Sequence, residues 1–345
     1  MSHSTVPRSR TEADTTAESP TTSDDAGGAR RRKKTPGQLS LRHRFGRDRV
    51  LLLMTLPAVA LVLLFNYVPI LGNVVAFQDY DPYISDNGVV SILNSPWVGL
   101  ENFQRIFEDS AFWQAVRNTL VLFFLQLVLF FPIPILLALL INSVVRPRVR
   151  AFAQAVLYLP HFFSWVLVIA VFQQLLGGAG LLSQLLRAHG YDGLDVMTDP
   201  STFKFLVTAE TVWKDAGWGI IVFLAALSSV SPDLYEAAAM DGAGRWRRMW
   251  HVTLPALRPV IALLLVLRVG DALTVGFEQI LLQRDAVGPG AAEVLDTFVW
   301  WNGVRNQDFG YAAAAGLVKG VISIGLVLAA NKVAHLMGEQ GVYKK

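Results

Sequence analysis

The sequence predicts an all-α membrane protein with six transmembrane helices. Composition is one reason: 53% of the 345 residues are hydrophobic and 17% are charged, whereas soluble domains average about 45–50% and about 25%. Segment length is the other, since a bilayer core of about 30 Å requires about 20 residues of helix. As helices, such segments satisfy their own backbone donors and acceptors within lipid. Six segments are long enough, near 50–72, 117–141, 153–176, 206–229, 257–280 and 312–335.

The positions of lysine and arginine predict the orientation, because cytoplasmic loops carry an excess of both. The loop at 77–116 is acidic on balance. We therefore expect that loop to be external and both termini to be cytoplasmic. The expected location is a bacterial-type cytoplasmic membrane, crossed several times. Basic clusters precede the first segment and follow the second and fourth, at 30–34, 42–49, 146–150 and 245–258.

Residues 1–49 are polar and rich in Ser, Thr, Asp, Gly and Arg. A segment with so few large apolar residues cannot bury enough surface to offset the entropy of ordering. We expect a disordered, basic cytoplasmic tail over 1–49, whose basic block could bind anionic membrane lipid. A six-span domain follows over 50–345.

The sequence contains no recognisable constellation for catalysis. It has no cysteine, which excludes disulfides, thiol catalysis and cysteine-based metal sites. The patterns H-E-x-x-H, G-x-S-x-G and G-x-x-x-x-G-K-S/T do not occur. We expect no enzyme activity, no metal and no cofactor. We expect no nucleic acid partner, because the basic residues lie mostly beside apolar segments.

The loop at 230–256, between the fourth and fifth segments, is predicted to form two short helices joined at a glycine. Ser231 can cap the first helix and Pro232 fits its first position. Gly242 tolerates the left-handed dihedrals of a turn. By hydropathy alone, the loop could equally be an amphipathic hairpin in the membrane interface. A second helix from about 243 to 251 would have an apolar face of Trp246, Met249 and Trp250.

The spacing of residues within this loop favours a second interpretation over that of a hairpin in the membrane interface. Glu236-Ala237-Ala238 is followed by Gly242 and then by Val252-Thr253-Leu254-Pro255. This pattern resembles the cytoplasmic loop with which the membrane subunits of ABC importers contact their ATPase. The resemblance implies that Glu236 pairs with a basic residue of the ATPase and that Gly242 permits the bend. The implied coupling residues are Glu236, Ala237, Ala238, Asp241, Gly242, Ala243, Leu254 and Pro255.

Further motifs resemble one group of these importers. The segments 97–103, 118–120 and 159–162 look like the carbohydrate-uptake permeases of the maltose-permease type. The segments 276–280 and 295–297 look like the polysaccharide or complex-oligosaccharide permeases. The resemblance covers roughly 45–345, so that 50–345 would be the permease domain.

The resemblance implies a function and a set of partners. The chain would translocate a sugar inward, an oligosaccharide larger than a disaccharide, by alternating access. It would pair with a second homologous permease subunit and an ABC ATPase dimer, and an extracellular substrate-binding protein would deliver the sugar. The coupling loop would dock in a cleft of the ATPase.

Ionisable side chains inside membrane helices mark candidate transport pathways, because their burial in lipid is costly. Lys214 and Asp215 lie in the fourth segment, and Arg268 and Asp271 lie in the fifth. At about 1.5 Å per residue, the two sets are at similar depth, which predicts a Lys214–Asp271 or an Asp215–Arg268 pair. The candidate pathway residues are Lys214, Asp215, Trp218, Arg268 and Asp271, with Trp213 as a stacking alternative.

A continuous fifth helix would bring Arg268, Asp271, Val275 and Glu278 onto one face. The resemblance to maltose-type permeases implies that these two helix regions line the sugar site. Such charges often pair only to hold helices together, and that alternative stays open here. Replacement of Asp271 by Ala would cost uptake without loss of assembly if the residue lies in the pathway.

Two other function classes remain to be weighed. A secondary sugar transporter would work without an ATPase, but no inverted repeat is evident in the sequence. A membrane-embedded enzyme would require a metal or nucleophile constellation, which the sequence lacks.

Overall fold

The computed structural model describes residues 41–336, and the regular elements in this range are helical. Gln78 and Trp97 form an isolated bridge. The prediction of an all-helical fold is confirmed for these residues. The predicted tail lies outside them for 1–40, whereas 41–49 form the start of the helix Leu41–Val62.

The chain divides into two compact units, with the boundary between Leu63 and Leu64. The described part of the first unit is the helix Leu41–Val62. The α-helices of the second unit up to the loop at 230–256 are Val68–Leu71, Gly88–Asn94, Glu101–Glu108, Ser110–Leu125, Pro132–Asn142, Pro147–Tyr158, Trp165–Leu176, Leu181–Ala188 and Phe203–Ser228. Those that follow are Pro232–Met240, Arg245–Arg248, Leu254–Gly270, Phe277–Val287, Pro289–Ala292, Leu295–Trp300 and Phe309–Leu336.

Shorter turns of other helical types interrupt or extend these helices. The 3-10 turns are Gly72–Phe77 and Leu159–Phe162. The π turns are Leu63–Tyr67, Gln126–Phe130, Met249–Thr253 and Trp301–Arg305. Single π turns inside α-helices are frequent at functional sites.

Six helical segments among the described residues are long and apolar enough to cross a membrane, which confirms the predicted number. We refer to them as the first to sixth spans. They are Leu53–Phe77, Ser110–Asn142, Trp165–Ala188, Phe203–Ser228, Arg245–Gly270 and Phe309–Lys332.

The prediction of one continuous helix over 153–176 is wrong. The helix Pro147–Tyr158 gives way to a 3-10 turn that contains Pro160, and Phe163 has extended backbone dihedrals. A new helix starts at Trp165, where the Ser164 hydroxyl accepts from the Leu167 N–H. Proline lacks the N–H that a continuous helix requires, and Ser is a favourable N-cap.

The prediction of a fifth helix over 257–280 is also wrong. The helix Leu254–Gly270 ends with Asp271 as its C-cap residue. Residues 271–276 form a non-helical turn, and Gly276 has φ of +55°, a conformation that glycine adopts without steric cost. The turn is accommodated because Leu273 and Val275 are buried in protein, and irregular backbone at membrane depth requires such cover.

Small residues permit close helix packing around the fourth span. A Cβ on Gly217 would overlap the Leu157 backbone, and one on Gly219 would approach the Pro134 ring to 2.7 Å. Close approach at glycine is typical of helix contacts in membranes. The fourth span thereby packs closely against the second span and the helix Pro147–Tyr158.

Candidate functional site

The loop between the fourth and fifth spans forms the predicted hairpin. The Ser231 hydroxyl accepts from the Asp233 N–H and caps the helix Pro232–Met240. Gly242 has φ of +74° and makes the turn, closed by a 2.9 Å bond from the Ala243 N–H to the Ala238 carbonyl. The structure thus agrees with the sequence on how this helix starts and ends.

The second half of the hairpin differs from the prediction. The helix Arg245–Arg248 continues through the π turn Met249–Thr253 into the helix Leu254–Gly270, and the three together form the fifth span, so that 243–251 is not a separate helix. Pro255 occupies the first turn of the helix that follows, where its missing N–H is tolerated. Trp246 and Trp250 remain 74% and 61% exposed, so they do not pack back onto the protein.

The predicted coupling residues lie together on this hairpin and its continuation into the fifth span. They divide by exposure, which determines which of them a partner could contact. Glu236, Ala237, Asp241 and Gly242 are exposed, whereas Ala238, Ala243, Leu254 and Pro255 are partly buried.

A polar cluster forms where the turn at 159–164, just before the third span, faces the fourth span. Asp215 accepts from His161 Nδ1 at 2.9 Å, and the Lys214 ammonium lies 3.8 Å from the same carboxylate oxygen. Lys214 also donates to the His161 carbonyl at 2.8 Å. The His161 ring stacks on Trp218 with a centroid distance of 5.2 Å. The turn frees backbone groups, and the fourth span supplies the charges that satisfy them.

Arg268 lies next to this cluster in a different environment. Its Nη2 donates to Gln126 Oε1 at 2.5 Å, and its guanidinium lies 5.6 Å from the centroid of the Phe130 ring. Its Nε is buried without a hydrogen-bond partner. Within the described residues, no carboxylate oxygen lies within 4.0 Å of the Arg268 guanidinium, the distance that defines an ion pair. Asp271 and Asp215 are nevertheless close enough to interact with Arg268 electrostatically.

The predicted pathway residues are therefore neighbours, but the predicted pairs are wrong. The carboxylate partner of Lys214 is Asp215 and not Asp271, and Asp215 pairs with His161 and not with Arg268. The end of the fifth helix at Gly270 also removes Glu278 from the face that carries Arg268.

Other residues of this region were not singled out as site residues by sequence reasoning. His161 joins Asp215 to Trp218 by a hydrogen bond and a ring stack. Trp165 lies under the Lys214 ammonium at 5.5 Å. Gln126 is a polar residue within an apolar span. Its position at a π turn depends on local backbone geometry, which hydropathy does not report.

Trp213 lies outside the polar cluster. Its ring contacts Phe163 and Phe172. It also lines an apolar groove of about 610 Å³ between the second span, the helix Pro147–Tyr158 and the fourth span. Phe205, Ala209, Val212 and Ala216 of the fourth span also line it. Their spacing of three and four residues makes this the helix face opposite to Lys214 and Trp218. The groove is thus distinct from the polar cluster.

Glu210 has a structural environment. Its side chain is fully buried, and its Oε2 accepts from Gln279 at 2.6 Å and from Gln283 at 2.9 Å. Gln279 also donates to the Val207 carbonyl. These bonds join the fourth span to the helix Phe277–Val287, as expected for polar side chains between membrane helices.

Comparisons with known proteins decide the family. The chain matches the family described as binding-protein-dependent transport system inner membrane component over residues 130–336. This chain belongs to that family. The permease is 44% identical over 297 residues to the polygalacturonan/rhamnogalacturonan transport system permease protein of Bacillus subtilis (strain 168), across 86% of this chain and 91% of the relative.

Two solved structures are similar to the permease. One is a chain of a bacterial alginate ABC transporter in complex with a periplasmic protein that carries an alginate pentasaccharide. It is 36% identical with a TM-score of 0.79, over 88% of this chain and 99% of that one. The other is a bacterial ABC transporter involved in import of the acidic polysaccharide alginate, also 36% identical, with a TM-score of 0.78, over 86% and 98%.

The family membership decides between the function classes. The chain is the permease subunit of a binding-protein-dependent ABC sugar importer and an inner membrane component, as its sequence motifs predicted. It is not itself an enzyme, since a separate subunit hydrolyses the ATP. A transporter that works without an ATPase is not the function of this family.

Proposed function

We propose that this permease imports an acidic oligosaccharide and that Arg268 binds the carboxylates of the sugar as they pass. The residues Lys214, Asp215, Trp218 and Asp271 would line the same pathway. In this proposal the substrate is a short chain that contains uronic acid residues.

The observation that carries the proposal is the guanidinium of Arg268, which forms no ion pair with any carboxylate in the part of the chain that the structure describes. Its polar contact is the neutral amide of Gln126, whereas the Lys214 ammonium has Asp215 beside it. A guanidinium binds a carboxylate through two parallel hydrogen bonds. Charged residues inside membrane proteins mark substrate pathways by default, and a cation without a carboxylate favours an anionic substrate.

The relatives support the same substrate class. The Bacillus subtilis relative is named for polygalacturonan and rhamnogalacturonan, and both similar structures are named for alginate. Galacturonan and alginate are polymers of uronic acids, and all of their monomers carry a carboxylate.

The test compares an acidic oligosaccharide with its carboxyl-reduced counterpart. Uptake into proteoliposomes is measured with the complete importer, ATP and saturating binding protein. We expect Arg268→Gln to lower uptake of the acidic sugar at least about tenfold, because a hydrogen bond to a charged group contributes about 1.5–3 kcal/mol. Uptake of the reduced sugar should hardly change, and Arg268→Lys should retain part of the preference.

Arg258→Gln is the matched control, because it removes the same charge from an exposed position on the same helix. Wild-type uptake of the acidic sugar by Arg268→Gln would contradict the assignment. Equal losses for the acidic and the reduced sugar would indicate a structural role for Arg268 instead.

We further propose that the hairpin at 231–255 docks on the ATPase dimer through Glu236. Support comes from the exposure of Glu236, Ala237 and Asp241 and from the cap and turn that give the helix Pro232–Met240 a fixed start and end. ATP-driven closure of the ATPase would move this helix. Such a movement changes the population of inward-open and outward-open states only through differential binding free energy.

The finer assembly belongs to the same proposal. A second homologous permease would complete the pathway, and an extracellular binding protein would favour the outward-facing state. Both termini would lie in the cytoplasm, because the basic clusters flank the expected cytoplasmic ends of the spans. The loop at 77–116 would then be external.

A further inference from the structure

Tyr235 attaches the helix Pro232–Met240 to the rest of the permease. Tyr235 and Ala238 are partly buried, whereas the other residues of this helix are exposed. The two positions are three apart and share one face of the helix. The opposite face carries Glu236 and Met240, which is 90% exposed. One side of the helix is therefore available to a partner, and the other contacts the permease at few points.

The contact at Tyr235 is a hydrogen bond between side chains. Its Oη lies 3.1 Å from Oγ1 of Thr253, and Thr253 is 6% exposed. The Thr253 hydroxyl also lies 3.5 Å from the Arg248 carbonyl, at the limit of a hydrogen bond. If Thr253 donates its proton there, its oxygen accepts the proton of Tyr235.

Thr253 lies at the start of a long helix that leads to the polar cluster. It is the last residue of the π turn Met249–Thr253 and directly precedes the helix Leu254–Gly270, which carries Arg268 near its other end. A helix of this length is roughly 25 Å long at about 1.5 Å per residue. A displacement applied at Thr253 is therefore passed along a continuous helix toward the polar cluster.

The backbone connection from the helix Pro232–Met240 toward the helix Leu254–Gly270 transmits movement less directly than the Tyr235–Thr253 hydrogen bond. It runs through Asp241–Gly244, where Gly242 has φ of +74° and no atom within 4 Å of a would-be Cβ. Glycine has the widest range of backbone dihedrals. Such a turn can bend and absorb a displacement of the first helix.

We propose that Tyr235 is a positioning residue that couples the helix Pro232–Met240 to the fifth span through its hydroxyl. The bond to Thr253 passes movement of the helix directly to the start of the helix Leu254–Gly270 and prevents its loss in bending at Gly242. This inference rests on the proposed docking of the hairpin on the ATPase.

The experiment uses the complete importer, with its second permease, ATPase and binding protein, in proteoliposomes. The measured quantity is the amount of sugar imported per ATP hydrolysed. We expect Tyr235→Phe and Thr253→Val to lower this ratio about fivefold, as for loss of one hydrogen bond of about 1 kcal/mol. ATP hydrolysis and the amount of ATPase that co-purifies should stay near wild type.

Matched variants separate this role from a structural one. Thr253→Ser retains the hydroxyl and should retain coupling, and the double variant Tyr235→Phe/Thr253→Val should be no worse than either single variant, since both remove the same bond. Tyr191→Phe removes an exposed hydroxyl elsewhere and should have no effect.

The outcomes are distinguishable. A wild-type ratio for Tyr235→Phe in a coupled importer overturns the inference and leaves the proposed function intact. Loss of the ATPase from Tyr235→Phe also overturns it, because Tyr235 would then belong to the docking surface. A wild-type complex that imports sugar without a bound ATPase would contradict the proposed docking itself.

Discussion

At the scale of single residues, two basic side chains inside the spans, Lys214 and Arg268, are stabilised by different kinds of neighbouring groups. Lys214 has a carboxylate and a carbonyl as partners, so its burial is compensated locally. Arg268 contacts an amide and an aromatic ring, and among the described residues the carboxylates of Asp271 and Asp215 act on it only from beyond ion-pair distance. The difference depends on which neighbours the fold supplies, since both are single basic residues within apolar segments.

A third arrangement lies outside the spans, at Arg284. Its Nε and Nη2 contact Glu293 Oε2 at 2.7 and 2.5 Å, and its guanidinium stacks on Trp301 at 3.7 Å. The side chains of Arg284 and Glu293 are both 9% exposed. Asp285 also pairs with Arg284, at 3.3 Å, but is 83% exposed. The same cation thus has one buried and one exposed carboxylate.

Glu293→Gln should therefore destabilise the permease much more than Asp285→Asn. Removal of one member of a buried pair leaves an uncompensated charge and costs about 3–5 kcal/mol, whereas an exposed pair contributes about 0–1 kcal/mol. Thermal unfolding of the two purified variants in detergent measures the difference. Equal apparent melting temperatures for both would contradict the burial argument.

At the scale of elements, the sequence predicted helix ends well where a side chain or a glycine determines them locally. Ser231 and Gly242 delimit the helix Pro232–Met240 as expected. The interruptions at 159–164 and 271–276 were missed, because both lie within long apolar stretches. A hydropathy pattern indicates that such a stretch prefers an apolar environment, in lipid or in the protein interior, to water. It does not distinguish one continuous helix from two helices joined by a turn.

Packing of the fourth span gives a prediction at this scale. Gly217→Ala should lower the stability of the permease by about 1–3 kcal/mol, since a Cβ would overlap the Leu157 backbone and overpacking costs about that much. Gly316→Ala is the matched control on the sixth span, because nothing lies within 4 Å of its would-be Cβ. Its expected effect is a gain of up to about 1 kcal/mol from helix propensity.

Thermal unfolding of both glycine variants, measured under identical detergent conditions, would test this contrast. A Gly217→Ala variant as stable as wild type would show that the contact with the Pro147–Tyr158 helix relaxes without cost. A strong loss for Gly316→Ala would indicate a packing partner beyond the described residues.

At the scale of the whole molecule, this chain is one subunit of an ABC importer. A permease subunit of this family depends on a binding protein, and it lacks the Gly-rich nucleotide-binding pattern. Its hairpin carries an exposed carboxylate at Glu236 on a helix with few contacts to the rest of the protein. A partner that contacts this helix can move it at little cost to the remaining fold.

Glu236→Lys should therefore reduce the ATPase that co-purifies with the permease about tenfold or more, because reversal of a charge at an interface replaces attraction with repulsion. Asp192→Lys applies the same charge change to an exposed carboxylate outside the hairpin and should leave the ratio unchanged. Quantification of both subunits after affinity purification measures the result. A normal ratio for Glu236→Lys would exclude this carboxylate from the docking contact.

The sequence by itself determined the class of the protein, the number of spans, the hairpin with its cap and turn, and the family. These features depend on segment length, local capping chemistry and motif spacing, all of which are properties of neighbouring residues. The tertiary structure alone decided how the helices break and which groups meet in the polar cluster. His161 lies in the turn before the third span, Asp215 in the fourth span and Gln126 in the second. The contact of His161 with Asp215 and that of Gln126 with Arg268 join parts of the chain that are far apart in sequence. The helix breaks depend on tertiary contacts as well, since the turn at 271–276 is accommodated by burial of Leu273 and Val275 in protein.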